Sequence, residues 1–376
     1  MSRWNRIMVG VTVALVVTTG TPAVASDDRF RPPPGTPLRV EPLPAALRLA
    51  GTGAAWRIRY ASTSWNGRPT VVSGTVSVPV GPPPAGGWRL VGFGPGFNGT
   101  PDACAASEAG TPPFARPLGE ALLAGGYAVA VTDYEGIGTP GDASGVDGRA
   151  EAYALIDVVR AARRIAPVTR SWAAVGYSMG GHAALWAGAR AAAYAPGLRQ
   201  VGTVALAPTT QWALQFAAAA GPGAPVSPFV PYVGRTLPVT SGFQPDRWFT
   251  PRGLELVDLA GRVCVAELAA ALAGVTNADV FRDPAAALAE FAALFADDEV
   301  PVARYPRPVR LAHGTADPLP AALTEITAGQ LAGAGSDIEY VPVAGADHFT
   351  VLAAAAPRVL AWLGQMFAAP GRMMER

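Results

Sequence analysis

Residues 175–189, VGYSMGGHAALWAGA, set one serine among four glycines, with a short apolar run before it and an alanine-rich helical run after it. No other stretch limits the fold so tightly. Gly176-Tyr177-Ser178-Met179-Gly180 has the G-x-S-x-G spacing of a sharp strand-to-helix turn that leaves no room for side chains two positions either side of the serine. Such a turn forces the serine into strained dihedrals, and its hydroxyl then stands clear at the helix N-terminus. The helix amides point at any oxyanion that forms beside it. The five-residue pattern is weak in isolation, so its setting decides.

The setting is a series of buried strand candidates separated by segments of helical periodicity. RLVGFG (89–94), YAVAVTDY (127–134) and SWAAVGY (171–177) come before the serine, and VGTVALAP (201–208), VRLAHGTAD (309–317) and IEYVPV (338–343) after it. This alternation predicts an α/β fold, a mostly parallel sheet with crossover helices. WRIRYAST and TVVSGTVSVPV alternate apolar with polar residues, which fits an antiparallel start to the sheet, while the Pro- and Gly-rich residues 27–53 are expected to wrap the surface. The segment RAEAYALIDVVRAARRI (149–165) aligns Ala152, Leu155, Ile156 and Val159 on one stripe, with arginines toward its C-terminal end, as a sheet-covering helix does. The last helix is VLAAAAPRVLAWLGQMF.

Residues 211–300 are more than a crossover needs. They hold the Pro/Gly/aromatic stretch SPFVPYVGRTLPVTSGF and two Ala/Leu/Phe-rich helical segments, which predicts a helical cap inserted over the sheet edge. Trp212, Phe216, Phe229, Tyr232 and Phe243 are either the lining of a pocket for an apolar chain or plain core.

With 29 basic against 28 acidic side chains, and every basic residue an arginine, the chain is nearly uncharged and suggests no nucleic-acid partner. At the N-terminus, MSRWNR precedes the apolar IMVGVTVALVV, and Ala23 and Ala25 have the spacing that a signal peptidase reads. Residues 1–25 are therefore expected to be a signal peptide cut after Ala25, since the apolar run is well short of the ~20 residues that span a bilayer. Residues 26–376 are then expected to form one exported domain. In an oxidising compartment the two cysteines, Cys104 and Cys264, are expected to form a disulfide, the alternative being two buried thiols. Neither a CxxC nor a Cys/His cluster with metal spacing occurs, so no metal is expected.

A serine hydroxyl needs a histidine to take its proton, and the chain has three. His182 lies one turn along the helix from Ser178, away from the exposed tip, where a packing role is expected. His313 sits in or at the end of a strand, where it would order a neighbouring acid. His348, in VAGADHF, occupies a loop between the last strand and the last helix and is the expected base. Asp317, after a buried strand in HGTADPLP, is the expected acid that fixes the imidazole tautomer. Asp347 adjoins His348 too closely to fold back onto its ring, and Asp133 precedes the serine in a different strand turn. Two donors for a tetrahedral oxyanion are expected from the amide of Met179 and, in the glycine-bearing loop PGFNGTPDACAAS, from that of Phe97.

With PGFNGTPDACAAS, YAVAVTDYEGIGTPGDASGVDGRAEAYALIDVVRAAR, GYSMGG, HGTADPLP and GADHF in hand, the chain resembles the α/β-hydrolases, and more narrowly the secretory lipases that include the fungal lipase A enzymes. The resemblance runs over roughly residues 54–368, DYEGIGTPG being its most distinctive stretch. It implies a secreted hydrolase with an inserted helical cap, acting on carboxylic esters of fatty acyl chains, with Ser178, Asp317 and His348 as a catalytic triad and without a cofactor. It also supports a bonded Cys104, and it makes an ester or lipid the substrate and the cap a candidate contact with a lipid interface. The chain departs from the family in having Pro95-Gly96 for His-Gly and Cys104-Ala105-Ala106-Ser107 for Cys-Ala-Pro-Ser, which bears on the position of the second oxyanion donor. An acyltransferase using the same triad, or a non-catalytic secreted binding protein on the same fold, are the alternatives; nothing in the sequence sets an oligomeric state.

Overall fold

The structure, a computed structural model, describes residues 32–369, so the expected signal segment 1–25 lies outside the described residues. Nine strands form one sheet: β1 (Pro37–Pro42), β2 (Thr52–Thr63), β3 (Pro69–Pro79), β4 (Trp88–Gly94), β5 (Tyr127–Thr132), β6 (Val168–Tyr177), β7 (Arg199–Leu206), β8 (Val309–Gly314) and β9 (Ile338–Val343). Their order across the sheet is β1-β2-β3-β5-β4-β6-β7-β8-β9. The first three strands pair antiparallel with their neighbours, β3 with β5 included. From β5 to β9 every pairing is parallel.

The short helices α1 (Ala106–Ala109) and α2 (Arg116–Ala124) lie between β4 and β5, α3 (Gly148–Ile165) leads into β6, and α4 (Met179–Tyr194) leaves it. Strand periodicity sorts the core into two layers. Leu90, Ala128, Trp172 and Ala174 face α3 and α4 in one cluster, while Val91, Val129, Ala173 and Val175 face Leu118 and Leu122 of α2 and the last helix in another. In α3 the expected stripe of Ala152, Leu155, Ile156 and Val159 is buried. Asp147 caps that helix by accepting from the amides of Arg149 and Ala150, and Arg163 and Arg164 fill its last turn.

Between β7 and β8 the chain builds a helical insertion: α5 (Trp212–Ala219), α6 (Phe229–Thr240), α7 (Pro245–Trp248), α8 (Pro251–Ala260), α9 (Val265–Ala271), α10 (Asn277–Val280) and α11 (Pro284–Leu294). It is followed by α12 (Ala321–Gly333) and α13 (Val351–Ala368), which flank β9.

Two local expectations are corrected. Residues 27–53 do not simply wrap the surface, because Pro37–Pro42 adds β1 to the free edge of β2; the alternation of Leu38 and Val40 with Arg39 and Glu41 carries the strand signal, and the flanking prolines mask it. The Pro/Gly/aromatic stretch is largely helical as α6. Pro231 falls in its first turn, where no intrahelical N–H bond is lost, and Pro238 lies in its last turn.

Candidate active site

Ser178 ends β6 and begins α4 with φ 56° and ψ −123°, a left-handed conformation rare for a residue with a side chain. The turn is held from both sides. The amide of Ser178 donates to the Leu206 carbonyl at 2.9 Å, and its own carbonyl accepts from Gly181 at 2.8 Å and His182 at 3.1 Å. The glycines of the motif are spatial requirements: a β-carbon on Gly176 would run into the Gly180 carbonyl, and one on Gly180 into the carbonyl of Gly94. The motif serine thus stands where the loop after β4 presses against the first turn of α4.

His348 reaches Ser178 from the loop after β9. Its Nε2 lies 3.1 Å from Ser178 Oγ and its Nδ1 2.7 Å from Asp317 Oδ2. A carboxylate beside Nδ1 puts the ring proton there, which leaves the Nε2 lone pair toward the serine hydroxyl. Asp317, in the turn after β8, also accepts from the amide of Leu319 at 2.8 Å and from His313 Nε2 at 3.0 Å. His313 is wholly buried, with Nδ1 2.7 Å from Thr324 Oγ1. Its Nε2 faces two acceptors, Asp317 Oδ2 and the Leu319 carbonyl, so the proton belongs on Nε2 and the Thr324 hydroxyl donates to Nδ1. Burial pushes the Asp317 carboxyl up, but the hydrogen bonds from His313, His348 and Leu319 and the charge of His348 outweigh it and hold the group at about 2.

That shift has a pH signature. A carboxyl whose folded value lies below its unfolded 3.8 adds stability above pH 4 and loses it as pH falls toward 2. The contribution is about 2 kcal/mol by linkage. Urea unfolding of wild type and Asp317→Asn at pH 5 and pH 2.5 is expected to give a stability gap at pH 5 that narrows by about this amount at the lower pH.

His182 belongs elsewhere. It is wholly buried, with Nδ1 2.8 Å from Glu151 Oε2 of α3 and Nε2 2.6 Å from the backbone carbonyl of Asp298 at the end of the insertion. Burial raises Glu151 to about 7, and although burial alone would lower His182, the Glu151 carboxylate raises it. Asp298 also accepts, through its side chain, from the amide of Gly148 at the start of α3. His182→Ala removes one member of a buried pair and is expected to lower unfolding free energy by about 3 kcal/mol, with turnover per folded molecule retained. Chemical unfolding beside active-site titration checks this.

The amides of Met179 and Phe97, the two expected oxyanion donors, have no hydrogen-bond acceptor among the described residues, and both residues line the cavity that contains Ser178 and His348. Tyr134, at φ 70°, sends its hydroxyl to the Pro95 carbonyl at 2.9 Å and so braces the loop that carries Phe97. Asp133 steadies the same region by accepting from the amide of Ser107 at 3.0 Å and from Ser73 Oγ at 2.7 Å. Asp347 accepts from the amides of Phe349 and Thr350 and shapes the loop around His348.

Cys104 and Cys264 are joined, with Cα atoms 5.6 Å apart. Around the bond, Val265 donates its amide to the Asn98 carbonyl, Thr100 Oγ1 donates to the Ala260 carbonyl, and Tyr232 donates to the Val263 carbonyl. The insertion is thereby stitched to the loop that bears Phe97.

The cavity has a volume of about 470 Å³ and walls that are mainly apolar. Of the five aromatics in question, Trp212, Phe216 and Phe229 line it, whereas Tyr232 and Phe243 are buried in the core of the insertion. Sequence reasoning missed the partners of His182 and the brace from Tyr134. Only the last carried a signal, in the stretch DYEGIGTPG.

Residues 118–223 match the model of the secretory lipase family. No curated protein matches the chain. Among solved structures, the fold is similar to that of lipase A from Candida antarctica in its closed state, with TM-score 0.70 and 18% identity over 89% of this chain and 82% of that one. It is likewise similar to a rice cell wall degrading esterase, LipA, from Xanthomonas oryzae, with TM-score 0.73 and 18% identity over 89% of this chain and 99% of that one. A putative hydrolase from Legionella pneumophila gives TM-score 0.69 and 18% identity over 86% and 90%. The α/β-hydrolase fold and the likeness to secretory lipases read from the sequence are borne out.

Proposed function

We propose that this chain is a secreted serine hydrolase that cleaves carboxylic esters of fatty acids. The class, carboxylic ester hydrolase, is supported by the secretory lipase match, and export by that family's character together with the leader pattern of residues 1–25. The mechanism rests on one observation: the continuous hydrogen-bonded path from Ser178 Oγ through His348 to Asp317 at the rim of an apolar cavity.

In this reading Ser178 Oγ attacks the ester carbonyl while His348 Nε2 takes its proton, and Asp317 steadies the resulting imidazolium. The amides of Met179 and Phe97 hold the tetrahedral oxyanion. His348 then returns the proton to the departing alcohol oxygen, and the acyl group remains on Ser178. Water, giving its proton to His348, attacks the acyl-enzyme; collapse breaks the acyl–Oγ bond, releases the acid and restores the serine hydroxyl.

Residues 211–300 act here as a cap over the site. Leu214 on α5 and Phe349 beside His348 are both exposed apolar side chains, which supports contact of the insertion and the site rim with a lipid interface. Rates on p-nitrophenyl esters from C2 to C16, with and without emulsified triglyceride, test the reading. A rise with acyl length and with emulsion is expected, and absence of turnover on every ester overturns it.

A further inference from the structure

The cavity over Ser178 draws its walls from both layers of the core. Phe216, Val230 and Leu288 belong to the cluster that runs from α3 and α4 into the insertion, and Ala115, Leu122 and Val129 to the separate cluster on the α2 and α13 side of the sheet. Ser178, just past the carboxyl end of β6, lines this same cavity. A site that needed only an acyl chain would require one of these arms.

The position of the imidazole tells the arms apart. The group that protonates the leaving alcohol must face the alcohol half of the ester. The His348 ring lies 5.0 Å from Tyr177 and 5.8 Å from Phe349, centroid to centroid, and both of those rings also contact Phe114. Phe349 in turn lies 5.0 Å from Phe114, which heads the arm on the α2 side. Phe97, by contrast, packs against Phe229 and Tyr232 of the insertion, so the oxyanion loop borders the other arm.

Building on the hydrolase reading above, we propose that the α2-side arm, walled by Leu49, Phe114, Gly119 and Val131, is a binding groove for an apolar chain on the alcohol side of the ester, with the acyl chain in the insertion arm. The substrates are then esters that carry hydrocarbon on both sides of the scissile bond. Long-chain alcohol esters and glycerides with a second acyl chain share this chemistry.

Gly119 gives the means to test it. It sits inside α2, and a β-carbon there would lie 2.6 Å from Leu49 Cδ1, the movable end of a half-buried side chain. Gly119→Leu keeps the helix and fills the arm. Leu49→Trp fills it from the opposite wall, so the test does not depend on one variant folding. In wild type, kcat/KM is expected to rise tenfold or more, by order of magnitude, from methyl to octyl butyrate, as buried methylenes dictate. In either variant that octyl-to-methyl ratio falls to about one, while the ratio of methyl decanoate to methyl butyrate changes less than about twofold. Faster cleavage of 1-butyryl-3-lauroylglycerol than of dodecyl butyrate identifies a glyceride as the source of the chain, and the reverse order a long-chain alcohol ester. A flat alkyl series in wild type, with methyl butyrate still cleaved, overturns the groove alone. So does an equal fall of both ratios in the variants. No cleavage of any ester overturns the hydrolase reading and the groove with it.

Discussion

Ser178→Ala is expected to fold as wild type does and to lose kcat for ester hydrolysis by a factor on the order of 10⁵. The size follows from what is removed and what stays. Without Oγ no acyl-enzyme forms, and hydrolysis must proceed by direct attack of water. The amides of Met179 and Phe97 and the apolar cavity remain, so substrate binding and some oxyanion stabilisation persist and KM moves little. Among the described residues the only side-chain hydrogen bond that Ser178 makes is to His348, and alanine suits its φ of 56° no worse than serine, so thermal unfolding is expected to stay within a few degrees. Fluorophosphonate labelling of wild type but not of the variant is the matching chemical result. Labelling that persists in Ser178→Ala, or kcat within tenfold of wild type on butyrate esters, would remove the serine from the reaction.

The largest stability effect is expected from Cys104→Ala/Cys264→Ala. The bond closes a loop of 160 residues that contains β5, β6, β7 and most of the insertion. Chain entropy sets its contribution at about 5 kcal/mol as an upper bound, and about 2–4 kcal/mol is typical of such bonds. The change is local in function as well, because the hydrogen bonds of Asn98, Thr100 and Val263 share the same seam. Loosening it lets the loop carrying Phe97 shift relative to Met179. Urea unfolding of the double variant is expected to give a midpoint well below wild type with a steeper slope, since the chain freed of its cross-link exposes more surface when unfolded, together with a lower kcat at temperatures where the fold is intact. A stability within 1 kcal/mol of wild type would contradict this account.

What the sequence disclosed, and what it hid, follows the range of each interaction. The turn at Ser178 is local, written in Gly176 and Gly180 within five residues, and the parallel strands announce themselves as apolar runs bounded by turns. His348 and Asp317 were legible because only three histidines exist and loop position separates them. The environment of His182 was not, since Glu151 is 31 residues away and Asp298 is 116, and no periodicity links them. His313 donates to the same carboxylate oxygen as His348 through a turn whose geometry spacing alone does not give. The edge strand β1 was hidden by its own prolines, and α6 by the prolines and glycines of its stretch.

Those prolines have a further effect. The sheet ends at β1 on one side and β9 on the other; Pro37 and Pro42 bound the first, and Pro342 lies within the second. Each removes an amide hydrogen, so neither margin presents an uninterrupted row of donors to another chain. Leu38 and Val40 point outward from β1 and would otherwise invite a neighbour to extend the sheet. A second copy laid along either margin therefore finds fewer backbone donors there than an all-amide edge would offer, through the same residues that disguise the strand.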